Sequence, residues 1–261
     1  MTALQARGVH FRYGPGRPVL QGVDLDVERG RIVGLFGANG SGKSTLLRCL
    51  NNSLRPQAGE ALIDGRPAGG MSRREIARRV AVVPQHTPDD LPLRVEDMVL
   101  LGRYPHGTLW GETTEDDRAV VEESLRRAEA VEFRWRRFDQ LSGGERQRVV
   151  VARALAQGAD ILLLDEPATH LDIAHQLSLL RLLRTLADQG CAILLVSHDI
   201  LVAPGRVDRA VLLADGRVAA AGEAVVALSP ENLRRAFGAA LAVSWSADGG
   251  VTLTPSAQGG G

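Results

Sequence analysis

One nine-residue stretch constrains this chain more than any other: Gly37-Ala38-Asn39-Gly40-Ser41-Gly42-Lys43-Ser44-Thr45. It follows the apolar run Ile32-Val33-Gly34-Leu35-Phe36 and precedes Leu46-Leu47-Arg48-Cys49-Leu50, so it reads as strand, loop and helix in succession. The G-x-x-x-x-G-K-[ST] pattern requires that context, because its glycines let backbone N–H groups turn inward around phosphate oxygens at a helix start. The β-phosphate is expected in that nest, with Lys43 reaching the β- and γ-phosphates as a point charge and the Ser44 hydroxyl taking a Mg²⁺ position. Composition sharpens the reading, since of the 31 basic residues 30 are Arg and the one Lys is Lys43. A compact ammonium on a flexible stem stands where a planar guanidinium fork would not serve. The pattern alone predicts a nucleoside triphosphate and leaves GTPases, kinases and ATPases open.

Two further stretches carry chemistry. Ala159-Asp160-Ile161-Leu162-Leu163-Leu164-Asp165-Glu166-Pro167 reads as a buried parallel strand ending in two acids. Ligands bind beyond the carboxyl ends of such strands, which lets Asp165 face a metal and Glu166 the water attacking a γ-phosphate. Adjacent residues of a strand point to opposite sides, which suits two roles. The second stretch is Leu141-Ser142-Gly143-Gly144-Glu145-Arg146-Gln147-Arg148, in which Ser142 and Glu145 form a capping box opening a helix. Its free N–H groups at Ser142, Gly143 and Gly144 make a second anion-binding helix start. Two glycines after a cap weaken a helix unless something approaches the backbone closely, and a phosphate is the expected visitor.

The remaining composition excludes more than it assigns. At 261 residues the chain is long enough for one large or two small domains with a real core. Its 31 acidic residues balance the 31 basic ones, so no bulk field draws it to nucleic acid. The longest apolar run, the six residues Cys191–Val196, is far short of the roughly 20 that span a bilayer. The start shows no signal-peptide pattern, and the chain is expected to stay in the cytosol. Cys49 and Cys191 read as reduced core residues. His86, His106, His170 and His175 lack acidic or cysteine partners in register and read as surface or loop groups.

Taken with Ser197-His198-Asp199 after the strand Cys191–Val196, these motifs resemble, in order and spacing, the ATP-binding subunit of ABC transporters over nearly the whole chain. The resemblance implies ATP and Mg²⁺, and assigns roles position by position. Tyr13 stacks on adenine. Gln85, in Val82-Val83-Pro84-Gln85, senses Mg²⁺ and the attacking water. Glu166 is the general base or water-orienting acid, His198 holds the γ-phosphate, and Asp172, in His170-Leu171-Asp172, touches the partner's site. It further implies a homodimer with two ATP molecules sandwiched head to tail, each held by one subunit's phosphate loop and the other's Ser142-Gly143-Gly144.

The implied fold is the α/β P-loop NTPase fold of ABC ATPases. It has a RecA-like core at about 1–85 and 150–225 and an N-terminal antiparallel β-subdomain. A helical subdomain follows at about 86–149 and a C-terminal extension at about 226–255. The chain's own pattern agrees in outline. Residues 3–36 read as short strands broken by Gly14-Pro15-Gly16 and Glu28-Arg29-Gly30, and a strand pair lies around Glu60–Arg66. Ser72 with Glu75 caps a short helix, Thr114 and Asp117 precede a helical stripe, and Leu177, Leu180, Leu183 and Leu186 form another ending at Gly190. Residues 256–261 read as a disordered tail. Ala168 stands where relatives have Ser or Thr, and Pro204-Gly205 interrupts the helix expected after His198.

Met98-Val99-Leu100-Leu101-Gly102-Arg103-Tyr104-Pro105-His106-Gly107, Leu171–Gln176 and Glu231–Gly238 resemble the ATPases serving ferric-siderophore, haem and cobalamin importers. That subfamily implies a polytopic membrane permease, docked by the stretch after Gln85. It also implies a substrate-binding protein acting indirectly, no nucleic-acid partner, and a peripheral location at the cytoplasmic face of the membrane. The alternatives are an importer ATPase for zinc, manganese or molybdate, and a soluble ABC-type ATPase acting on DNA or ribosomes.

Overall fold

Five strands of this chain alternate their side chains between two separate cores. The computed structural model describes residues 1–107, 113–169, 171–200 and 206–237, and the backbone of strands at 241–245 and 251–255. His170, Pro204, Gly205, Gly238 and residues 256–261 lie outside the described residues. The first half runs β1 (Thr2–Phe11), β2 (Leu20–Glu28), β3 (Ile32–Phe36), α1 (Lys43–Leu50), β4 (Ala58–Ile63), β5 (Arg66–Pro67), α2 (Arg73–Ala77), β6 (Val80–Val83), α3 (Val95–Leu100) and α4 (Glu115–Arg127). The second half runs α5 (Gly143–Ala156), β7 (Ile161–Asp165), α6 (Ile173–Asp188), β8 (Ala192–Ser197), β9 (Arg209–Ala214), β10 (Arg217–Glu223), α7 (Ala224–Ala227), α8 (Pro230–Phe237), β11 (Leu241–Trp245) and β12 (Val251–Pro255).

The central sheet has strand order β10-β9-β3-β8-β7-β6, parallel from β9 to β6 with β10 antiparallel at one edge. Period-two alternation divides its side chains. Ile32 and Phe36 of β3, Leu162 and Leu164 of β7, and Ile193 and Leu195 of β8 enter one core, which is closed by α3 to α6. Val33 and Leu35, Ile161 and Leu163, and Leu194 and Val196 enter the other, where α1 and the antiparallel sheet β2-β1-β4-β5 cover them. Both faces are therefore dry, and that is why these strands read as continuous apolar runs.

The helices start where the sequence marks them. Capping boxes form at Ser72 with Glu75, Thr114 with Asp117 and Ser142 with Glu145. Helix α6 buries Leu180, Leu183 and Leu186 of the expected stripe and adds Leu179 and Leu182, while Leu177 is half-buried. Helix α5 runs unbroken across residue 150, so the return from the helical segment to the core sheet is made by one continuous helix. Cys49 and Cys191 are buried and unpaired, and burial pushes the Cys49 thiol up to about 11.

Phe36 joins the core to the phosphate loop that follows it. Its ring is fully buried and lies over Gly34, where an added Cβ would meet the ring at 2.2 Å. Phe36→Ala is expected to destabilise the protein by about 3–5 kcal/mol, through lost burial and the cavity left behind. A fall in the urea midpoint at unchanged slope checks this.

Candidate functional site

Parallel pairing brings the carboxyl ends of β3, β7, β8 and β6 to one edge of the sheet. That is where an open α/β sheet places its ligands. The loop after β3, Glu166 after β7 and Gln85 after β6 open onto a single cavity of about 300 Å³, lined by Val19, Asn39, Gly40, Gly42, Lys43, Ser44, Thr45, Gln85 and Glu166.

Lys43 begins α1 and is only 6% exposed. Its ammonium donates to the carbonyls of Gly37 at 2.8 Å and Ala38 at 3.0 Å, so the buried charge is held inside its own loop. Burial lowers its pKa below the ordinary lysine value, and the fields of Glu166 and Asp165 oppose that fall. Gly42 has φ +107°, and a Cβ there would meet Leu20 Cδ2 and the Val19 carbonyl at 2.9 Å, so only glycine serves. Ser41 is buried, and its hydroxyl has no hydrogen-bond partner among the described residues. The Ser44 hydroxyl donates to Asp165 Oδ1 at 3.2 Å. Burial raises the Asp165 pKa, the Ser44 bond opposes the rise, and the neighbouring Glu166 adds to it.

Glu166 departs from the strand geometry expected for it. It lies one residue beyond β7 at φ +51°, in the left-handed region that a non-glycine residue enters at a cost of about 1–3 kcal/mol. Its N–H donates to the Val196 carbonyl at 2.9 Å, and its own carbonyl accepts from the Thr169 N–H at 3.2 Å. The two acids therefore do not point to opposite faces of a strand. The turn brings both to bear on Lys43, with Glu166 8% exposed. His198, just past β8, pairs through Nδ1 with Glu166 Oε2, which also accepts from the Thr169 hydroxyl at 3.2 Å. Sequence reasoning missed Thr169.

Tyr13 presents a half-exposed ring, packed edge-on against Phe11 at 4.9 Å between centroids, with its hydroxyl 3.3 Å from Thr45 Oγ1. It stands beside the loop without lining the cavity.

Ser142, Gly143, Gly144 and Asp172 line no part of that cavity either. Ser142 caps α5, and its N–H, expected to be free for an anion, donates instead to Glu145 Oε2 at 2.7 Å, as the capping box requires, while Gly143 beside it is exposed. Gly144 is buried, and packing within the chain, not the expected phosphate, requires its smallness. An added Cβ there would lie 1.9 Å from His175 Cδ2, so the His175 ring, rather than an approaching phosphate, occupies the space. Asp172 caps α6, accepting from the His175 N–H at 2.8 Å, and its second oxygen lies 2.9 Å from His175 Nδ1. His106 is engaged by the Gln157 carbonyl at 2.8 Å, and Ala168 is nearly buried.

A phosphate loop and an acid pair at neighbouring strand ends, on a parallel sheet of this order, define a P-loop NTPase. Residues 20–169 match the family model described as ABC transporter. The chain is 43% identical over 242 residues to the cobalamin import ATP-binding protein of Halobacterium salinarum, covering 92% of this chain and 60% of that protein. It thus spans about three-fifths of the length of that relative. It is 45% identical over 217 residues to the hemin import ATP-binding protein of Streptomyces coelicolor, covering 83% and 76%. A solved chain of a transporter described as of metal-chelate type, in an inward-facing conformation, superposes with TM-score 0.85 at 27% identity over 99% of both chains. The chain belongs to the ABC transporter family.

The raised Asp165 pKa carries a testable sign. The native state keeps this proton to higher pH than the unfolded chain, so chelator-treated protein without nucleotide loses stability as pH rises from about 4, the ordinary Asp value, through the raised native one. Asp165→Asn should remove that slope and melt at pH 7 no lower than the parent. Thermal melts between pH 4 and pH 8 check it.

Proposed function

We propose that this chain is the ATP-hydrolysing subunit of an ABC importer, working as a homodimer in which each ATP is held by the phosphate loop of one copy and by the Ser142-Gly143 helix start of the other. One observation carries the reading. The Lys43 cavity gathers the phosphate loop, Gln85 and Glu166, whereas the second anion-binding helix start lies outside it with Gly143 open. A second copy supplies what one chain leaves out.

The residues fit Mg-ATP. A hydroxyl, a carboxylate and an amide oxygen, from Ser44, Asp165 and Gln85, make the hard-oxygen donor set that Mg²⁺ prefers. When bound, the ion neutralises charge developing between the β- and γ-phosphates. The Gly37 and Ala38 carbonyls release Lys43 to the phosphate oxygens, and the orphaned Ser41 hydroxyl is placed to gain a partner there. Tyr13 offers its free face to adenine. Glu166, held by the turn at its backbone and by Thr169 and His198 at its carboxylate, orients the attacking water and receives its proton. His198 then meets the γ-phosphate from the end of β8. The dimer closes on ATP and opens when the γ-phosphate is lost, which turns hydrolysis into movement.

The helical segment at about 86–149 presents this movement to a polytopic permease, with the surface after Gln85 as the docking face. Leu101 and Tyr104 there are large, apolar and exposed. Among the described residues no helix is long and apolar enough to cross a membrane, in keeping with a peripheral subunit at the cytoplasmic face. Similarity to cobalamin and hemin import proteins favours a metal chelate of the haem, cobalamin or ferric-siderophore kind as cargo, delivered by a substrate-binding protein.

Glu166→Gln should bind ATP, lose at least about 100-fold in hydrolysis and accumulate as an ATP-dependent dimer on gel filtration. Tyr13→Ala should weaken nucleotide binding by about 1–3 kcal/mol, read by titration of a fluorescent ATP analogue. Glu166→Gln tagged and recovered from membranes in Mg-ATP should carry a polytopic permease, and recovery with ribosomes or DNA alone would contradict the importer reading.

A further inference from the structure

The Ser142-Gly143 helix start of α5 rests on the segment that follows β7 in the same chain. Leu171 Cδ2 lies in ordinary contact with the space above Gly143, and the His175 ring covers Gly144 so closely that no side chain fits there. That ring does not turn freely. Asp172 accepts from the His175 main-chain N–H at 2.8 Å and lies 2.9 Å from its Nδ1, and these bonds hold the Asp172 carboxyl below the usual carboxylate range. One turn further along, the Arg148 guanidinium of α5 donates to the Ser178 hydroxyl of α6 at 2.6 Å. The two helices are thus latched at two levels, and the upper latch is an imidazole clamped between an acidic cap and a glycine.

We propose that His175 is a positioning residue for the ATP site of the opposite subunit. Its ring sets the height and tilt of the Ser142-Gly143 helix start, and its bond to Asp172 holds the ring in place. The inference rests on the shared-site reading above. It differs from a purely structural role because the Lys43 cavity of the same chain contains none of these atoms. Binding of one nucleotide to one subunit should not depend on His175, whereas closure of two subunits on ATP should.

The test uses the full chain in the Glu166→Gln background, with ATP-driven dimerisation read by gel filtration and subunit affinity for a fluorescent ATP analogue read under monomer conditions. His175→Ala is expected to raise the ATP midpoint for dimerisation about ten-fold with subunit affinity unchanged, while His175→Phe, which keeps a ring over Gly144, stays within about three-fold of the parent. Gly144→Ala should abolish dimerisation when His175 is present and fall no lower than the His175→Ala level when the ring is removed, a coupling that a double-mutant cycle reads directly. That comparison holds even where His175→Ala lowers the melting temperature, because both members share the background. An unchanged midpoint in His175→Ala, or Gly144→Ala equally damaging with and without the ring, overturns the proposal. Failure of Glu166→Gln itself to dimerise overturns the shared site instead.

Discussion

A buried ammonium facing two carboxylates is the interaction on which the rest of the molecule depends. Lys43, Asp165 and Glu166 are drawn from opposite halves of the sequence, and none is comfortable where it stands. Burial lowers the Lys43 pKa and raises that of Asp165, and Glu166 is held in a left-handed turn. Such an arrangement persists only when the surrounding structure over-determines it. Here that structure is the parallel sheet, buried on both faces, whose registered strand ends leave these groups no other place to go.

The parts legible in the sequence are those where chemistry or geometry allows few residue types. The phosphate loop could be read because only glycine serves at Gly42 and only a point charge serves at position 43. The core strands could be read because burial on both faces demands unbroken apolar runs. The helix starts at Ser72, Thr114 and Ser142 could be read because a capping box is local, with both partners three residues apart. The roles of Tyr13, Gln85 and His198 came from resemblance alone, since a tyrosine in a turn or a histidine at a strand end has many ordinary uses.

What stayed hidden depends on contacts distant in sequence or on backbone that breaks a local rule. Glu166 precedes Pro167, and a residue before proline is expected to be extended. Only the hydrogen bond to Val196 on the next strand shows why it turns the other way. Gly144 reads locally as a second concession to phosphate, whereas the ring of His175, on another helix, lies above it. The resulting division of labour is sharper than the motif suggested. Gly143 is open to a ligand, and Gly144 lets α5 and α6 come together.

On the proposed reading each ATP site is built from two chains. Mixing two defective variants separates this from a one-chain site: Lys43→Ala, which empties the phosphate loop, and Gly143→Asp, which places a like charge at the helix start. An acid in the first turn is compatible with the helix, and among the described residues a Cβ at Gly143 meets nothing closer than 3.6 Å, so the second variant should fold. Each variant alone is predicted to be inactive, while an equal mixture regains ATP hydrolysis up to about a quarter of the wild-type rate, because half the dimers are mixed and each carries one intact site. Wild-type hydrolysis by Gly143→Asp alone would show that the site is complete within one chain and would contradict the account.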